Sequence, residues 1–139
     1  MFEIRYADNT YKVFWFTLDS HITEDEFLLK VRDNRAYIIS VEDKPVGIMR
    51  YNLFWDSIPF LTFIHFHETC QGKGFGRQAM LSWEKEMREL GYKMVMTSTQ
   101  VDEQAQHFYR KLGYIEKGSL SFDNTPLAQP MEMFLMKNI

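Results

Sequence analysis

Phe60-Leu61-Thr62-Phe63-Ile64-His65-Phe66, then His67-Glu68-Thr69-Cys70, then Gln71-Gly72-Lys73-Gly74-Phe75-Gly76: this is the stretch that decides the fold. Its first seven residues are rich in aromatic and β-branched types, the composition of a buried strand. Beyond the glycines, Phe75, Ala79, Met80, Trp83, Met87 and Leu90 recur at helical spacing, and Gly91 stands where a helix C-cap belongs. The order is strand, glycine turn, helix. Three glycines let the backbone turn tightly and approach a bulky ligand with no Cβ atoms in the way. The N–H groups of the helix start and the helix dipole favour an anion, typically a phosphate or pyrophosphate. Lys73 or Arg77 can add a cation to that cradle.

Three phosphate motifs compete for the turn. A Walker A loop requires Gly-Lys followed by Ser or Thr, and here Gly74 follows Gly72-Lys73, so that reading fails. Gly74 to Ala79 fits the G-x-G-x-x-A form of the dinucleotide fingerprint. The next strand, however, ends in Thr97-Ser98-Thr99 with no acid for a ribose, and the chain holds too few βαβ units. The pattern that remains is Q-x-x-G-x-G, Gln71 to Gly76. A second stretch then bears on it: Asp102 to Tyr114 puts Ala105, Phe108, Tyr109 and Leu112 on one helical face, ended by Gly113.

Together the two stretches resemble the GNAT superfamily of N-acetyltransferases. Gln71 to Gly76 is similar to that family's acyl-CoA pyrophosphate loop. Residues 102 to 114 are similar to its signature N-x-x-A-x-x-F-Y-x-K-x-G-F/Y, matching at Ala105, Phe108, Tyr109, Lys111, Gly113 and Tyr114. The departure is Asp102, where the family more often has Asn; it can accept a hydrogen bond but not donate one. The resemblance implies an α/β (α+β) fold, with a mixed, mostly antiparallel sheet of about six to seven strands and about four helices. Residues 1–139 are expected to form one acyl-CoA N-acyltransferase domain.

The implied reaction moves an acetyl group from acetyl-CoA, a co-substrate, to a primary amine of a small molecule or peptide, without a metal. The amine must lose a proton, the oxyanion needs a donor such as a main-chain N–H near Ile64 to Phe66, and the leaving thiolate needs an acid. Tyr109 stands at the position of the family's Tyr that reaches the CoA sulfur and is the expected general acid. Its other reading is a core aromatic. His65 is the candidate base. The family often places its base on the other face of this strand, at positions that here carry Phe60 and Thr62, and a bulge reverses that parity. The cofactor is expected on Gln71, Gly72, Lys73, Gly74, Phe75 and Gly76, on the main chain of Ile64 and Phe66, and on Asp102 and Phe108. Trp55 and Asp56, at a hairpin tip, are candidate acceptor contacts, although Asp56 also suits a turn. An alternative reading is a CoA-binding sensor with little transferase activity.

Composition narrows the rest. A chain of 139 residues with 45% hydrophobic residues can bury one core and is not disordered. A net charge of −3 with no basic cluster argues against a nucleic-acid partner. No run is long and apolar enough for a membrane span, Cys70 is the one cysteine, and a cytoplasmic monomer or homodimer is the expectation. No spacing of His, Cys and acids suggests a metal site. In chain order, Phe2–Tyr6 reads as a strand, and Asp8-Asn9-Thr10 and Thr23-Glu24-Asp25-Glu26 as helix starts. Asp19, Glu24, Asp25 and Glu26 can attract a cationic amine or simply favour helix dipoles. Arg35–Val41 and Val46–Phe54 read as strands around a Glu42–Pro45 turn, and Trp55–Pro59 as a break before the central strand. Lys93–Thr99 and Tyr114–Phe122 are expected strands, and Met131–Met136 is expected to close the sheet as an edge.

Overall fold

The computed structural model describes residues 1–139. In chain order these form β1 (Phe2–Tyr6), α1 (Lys12–Leu18), α2 (Glu24–Arg32), β2 (Ala36–Val41), β3 (Lys44–Phe54), β4 (Ile58–Phe66), α3 (Phe75–Glu89), β5 (Met94–Gln100), α4 (Ala105–Lys111), β6 (Ile115–Leu120) and β7 (Glu132–Asn138). The strands make one seven-stranded sheet in the order β1-β2-β3-β4-β5-β7-β6. Seven strands and four α-helices agree with the expected class. The chain gathers into two compact units, Met1–Asn52 with Leu61–Glu86, and Leu53–Phe60 with Met87–Ile139.

In the first unit the helix starts follow the local chemistry. Asp8 Oδ1 accepts the Thr10 N–H at 2.8 Å, and Thr23 Oγ1 accepts the Glu26 N–H at 3.2 Å. Three acids in the first turn of α2 and Lys30 and Arg32 in its last turn complement the helix dipole. Trp15 and Phe27 then bury fully beside Ala36, Ile38 and Ile48. Beside this core lies an ion pair: Arg50 Nε is 2.8 Å from Asp19 Oδ2, and the Trp15 indole donates to the same oxygen at 3.1 Å. The His21 N–H satisfies Asp19 Oδ1 at 2.9 Å. Asp19 is therefore a buried partner of Arg50 and is not presented to an incoming amine, because one carboxylate so bonded has little left to offer.

The β2–β3 hairpin is tighter than expected. Glu42 and Asp43 take φ of +51° and +63°, making a two-residue turn, so β3 begins at Lys44 and includes Pro45. Pro45 pairs with Ser40 where the register shifts between Ile39 and Ser40, and a shifted register tolerates the missing N–H. Gly47 is required by space: a Cβ there would stand 2.5 Å from the Phe66 ring.

In the second unit, Trp55 and Asp56 make the same kind of turn, with φ of +52° and +58°, and the Ser57 N–H closes it on Phe54 O at 3.1 Å. So short a turn lets β4 start at Ile58, two residues before the expected Phe60, and buries Pro59. The expectation of an edge strand at the end of the chain is overturned. β7 pairs antiparallel with β5 on one side and β6 on the other, and the edge is β6. The reason lies in the side chains: β7 buries Met133 and Leu135, whereas every residue of β6 is exposed, with Glu116, Lys117 and Ser119 among them.

Candidate functional site

Between β4 and α3 the chain is fixed by short local bonds. The His67 N–H reaches Val46 O at 2.8 Å as the last rung beside β3. His67 Nδ1 then lies 3.3 Å from the Thr69 N–H and caps the single turn Glu68–Cys70. The Gln71 side-chain amide donates to Phe66 O at 3.1 Å, tying the start of the glycine turn to the end of its strand. Gly72 and Gly74 follow with φ of +74° and +81°, and a Cβ on either would meet nothing within 4 Å. Glycine is thus required here by backbone angle and not by crowding, and the surface above the turn is open. Gly74 O accepts the Gln78 N–H at 3.2 Å as α3 begins. The first N–H groups of α3 have no acceptor within the helix and form a donor cluster at its positive end. Such a cluster fits a phosphate or pyrophosphate, with Lys73 exposed beside it. The Phe75 ring turns inward, 6.1 Å from the Phe2 ring and 6.4 Å from the Phe66 ring, so Phe75 offers a ligand its main chain.

The strand that feeds this turn carries the candidate base. Pro59 and Leu61 are buried at odd positions, but further along the buried residue is Phe66, so the inward parity changes between Leu61 and Phe66. His65 is exposed, with the Phe63 ring at 5.9 Å as its aromatic neighbour. Thr62 is engaged: its hydroxyl accepts from Arg50 at 3.0 Å and donates to Arg50 O at 3.2 Å. Glu24 is paired with Lys12 at 2.8 Å.

In the second unit, α4 carries Tyr109 on its inward face. The ring is 7% exposed, lies 5.2 Å from the Phe108 ring and 5.8 Å from the Tyr114 ring, and its hydroxyl bonds to the Thr97 side chain of β5. Burial pushes the phenol above its ordinary pKa, partly offset by the Thr97 bond, so Tyr109 carries its proton throughout the neutral range. Thr97 was not singled out from the sequence; its signal is a hydroxyl inside the otherwise apolar Met94–Met96 run's continuation, on a strand facing the signature helix. Gly113, at φ +98°, ends α4 and passes its N–H to Arg110 O at 3.0 Å. Asp102 is exposed in the turn before α4, and Phe108 is half-buried. Trp55, 79% exposed, stands at its hairpin tip with its ring 4.7 Å from Phe54, and Asp56 beside it is exposed. The phosphate-turn residues lie in the first unit, and Asp102, Phe108 and Tyr109 in the second, with Asp102 before the start of α4.

No helix is long and apolar enough to cross a membrane, and no three His, Cys, Asp or Glu side chains group as metal ligands. The profile of the Acetyltransferase (GNAT) family matches residues 2–114. Among solved structures the chain is similar to Ard1 from Thermoplasma volcanium, at 16% identity over 99% of this chain and 97% of that one, with a TM-score of 0.81. It is similar to the ribosomal-protein-S18-alanine N-acetyltransferase from Escherichia coli at 14% identity, 100% and 94% coverage and a TM-score of 0.80. A Bacillus subtilis acetyltransferase in complex with CoA matches at 17% identity, 100% and 99% coverage and a TM-score of 0.79. At these identities the likeness to each is one of fold.

Proposed function

The chain belongs to the GNAT family of acetyltransferases, and from that premise we propose that it acetylates a primary amine of a small molecule or peptide, by direct attack in a ternary complex. The observation that carries this reading is the open turn at Gly72 and Gly74, leading into the N-terminus of α3. Acetyl-CoA supplies an acyl thioester whose pyrophosphate suits that turn. Backbone N–H groups from Gln71 to Gly76 bind it, and Lys73 adds charge. Ile64 and Phe66 offer their main chain to an amide-bearing arm, in the manner of an added strand. Asp102 and Phe108 complete the cofactor contacts.

Tyr109 acts as the general acid. Its buried phenol holds a proton at neutral pH and gives it to the departing thiolate. His65, an exposed imidazole, takes the proton of the ammonium, directly or through water. Trp55 and Asp56 meet the acceptor from the hairpin tip, where the positive φ of the two-residue turn leaves both side chains exposed. One protein of this fold is a ribosomal-protein-S18-alanine N-acetyltransferase, which supports trying peptide amines first among the acceptors.

The test is acetyl-CoA turnover, followed by thiol release, against α-amino peptides, lysine peptides, polyamines, amino acids and aminoglycosides. Calorimetric binding of acetyl-CoA is the control. Turnover with one amine class is the expected result. Tight binding without turnover on any amine sinks the transferase reading, and absence of binding sinks the assignment of Gln71 to Gly76.

A further inference from the structure

Beyond the glycine turn, α3 runs on for about 10 Å before it reaches Ser82 and Trp83, with Glu86 about one turn further. There it packs over β1 and β2 and leaves a cavity of about 320 Å³, walled by those three residues with Tyr6 and Tyr37. None of these groups has a part in the acetyl transfer proposed above.

The cavity has one acid, Glu86. Glu86 Oε2 accepts the Tyr37 hydroxyl at 2.7 Å and the Tyr6 hydroxyl at 3.1 Å, so two phenols from neighbouring strands hold the carboxylate in place. Arg5 also borders the cavity, but its guanidinium is directed elsewhere: it lies over the Tyr11 ring at 5.5 Å and 3.5 Å from Glu3. Alternation along β1 explains this, because Tyr6 takes the cavity side and Arg5 the other. The negative charge of Glu86 is therefore not cancelled inside the cavity.

The rest of the wall is aromatic. The Tyr6 and Tyr37 rings are 5.5 Å apart, Tyr37 and Tyr51 6.2 Å, and Tyr51 and Trp83 5.7 Å. Trp83 is 1% exposed, and its indole N–H has no hydrogen-bond partner, a cost the core does not otherwise explain. A fixed carboxylate beside electron-rich rings is the arrangement that attracts an organic cation, whose alkyl groups pack on the rings while its charge faces the acid.

We propose that this cavity binds an alkylammonium cation, with Glu86 as the counter-charge and Tyr6, Tyr37 and Trp83 as its aromatic wall. Both quaternary and primary ammonium groups have this chemistry. Choline is the quaternary probe, butylammonium the primary one, and 3,3-dimethylbutan-1-ol the uncharged isostere of choline. Choline has no N–H to acetylate, so its binding is read apart from turnover. The full chain has three tryptophans, and the Trp83 indole N–H signal is assigned with Trp83→Phe.

The expected result is a saturable shift of that signal with choline, butylammonium or both, at least tenfold weaker binding of the isostere, and at least tenfold weaker binding to Glu86→Gln. Acetyl-CoA affinity stays the same in that variant. Tyr6→Leu, at a half-exposed position, weakens the cation in the same way and serves if Glu86→Gln does not fold. Equal binding of choline and its isostere overturns the proposal. So does an unmoved Trp83 signal with both cations, or an affinity indifferent to both variants.

Discussion

The turn from Gln71 to Gly76 and the helix α4 are built from opposite materials. The turn is backbone: two glycines at positive φ, an open surface, and a Gln71 side chain spent on holding Phe66 O. Helix α4 is side chain: a buried Tyr109 held among Phe108, Tyr114 and Thr97, on a backbone with ordinary helical angles. The difference lies in what each tolerates. The turn depends first on backbone angle, at Gly72 and Gly74, where a Cβ would be forced into a left-handed conformation. The helix is indifferent to nothing that touches one oxygen.

Substitutions sharpen that contrast. The largest effect is expected from Tyr109→Phe, which removes the proton donor and lowers kcat by about 10²-fold or more while acetyl-CoA KM stays within twofold. An equal fall in affinity would mean that Tyr109 is only a core aromatic. Next comes Gly74→Val, where the φ of +81° costs about 1–3 kcal/mol, so calorimetry should show acetyl-CoA affinity reduced by about ten- to a hundredfold. Unchanged affinity would remove the turn from the cofactor site.

A pH series separates the two regions further. The Tyr109 phenol is raised in the folded state, chiefly by burial, so its stabilising contribution is complete below the unfolded value near ~10 and is lost as pH rises beyond it. Tyr37 is raised for the same reason, with Glu86 adding to it. Urea midpoints are expected to hold steady through neutral pH and to fall above pH ~10, less steeply in Tyr109→Phe. The smallest effect is expected from Lys73→Ala: an exposed charge beside a backbone site, worth about 0–1 kcal/mol, with a two- to fourfold rise in acetyl-CoA KM that shrinks as salt increases.

What was legible in the sequence was local. Thr23 and Glu26 announce the start of α2, Gly91 and Gly113 take the positive φ that ends α3 and α4, and the strand, turn and helix around Gln71 to Gly76 follow from composition alone. What was not legible depends on partners distant in sequence. Asp19 reads as a free acid until Arg50, on a strand beyond α2, arrives to bind it. Pro45 and Pro59 read as strand breakers, yet a shifted register and a two-residue turn admit both. Chain order says nothing of sheet order, so the last strand need not be an edge, and β7 pairs on both sides. The polar residues of β6 already carried the opposite message. In the candidate site, the glycine turn was readable from φ requirements, whereas the bond between Tyr109 and Thr97 exists only once β5 and α4 have packed.

The place of β7 also sets a timetable. It is synthesised after both of the strands it joins, and the stretch from Leu120 to Asn138 takes roughly one to four seconds to make at ~5–20 residues per second. Until that stretch has been made, β5 and β6 lack the strand that pairs them. Glu116, Lys117 and Ser119 are the polar residues that suit such a strand to water, as they do at the edge of the finished sheet.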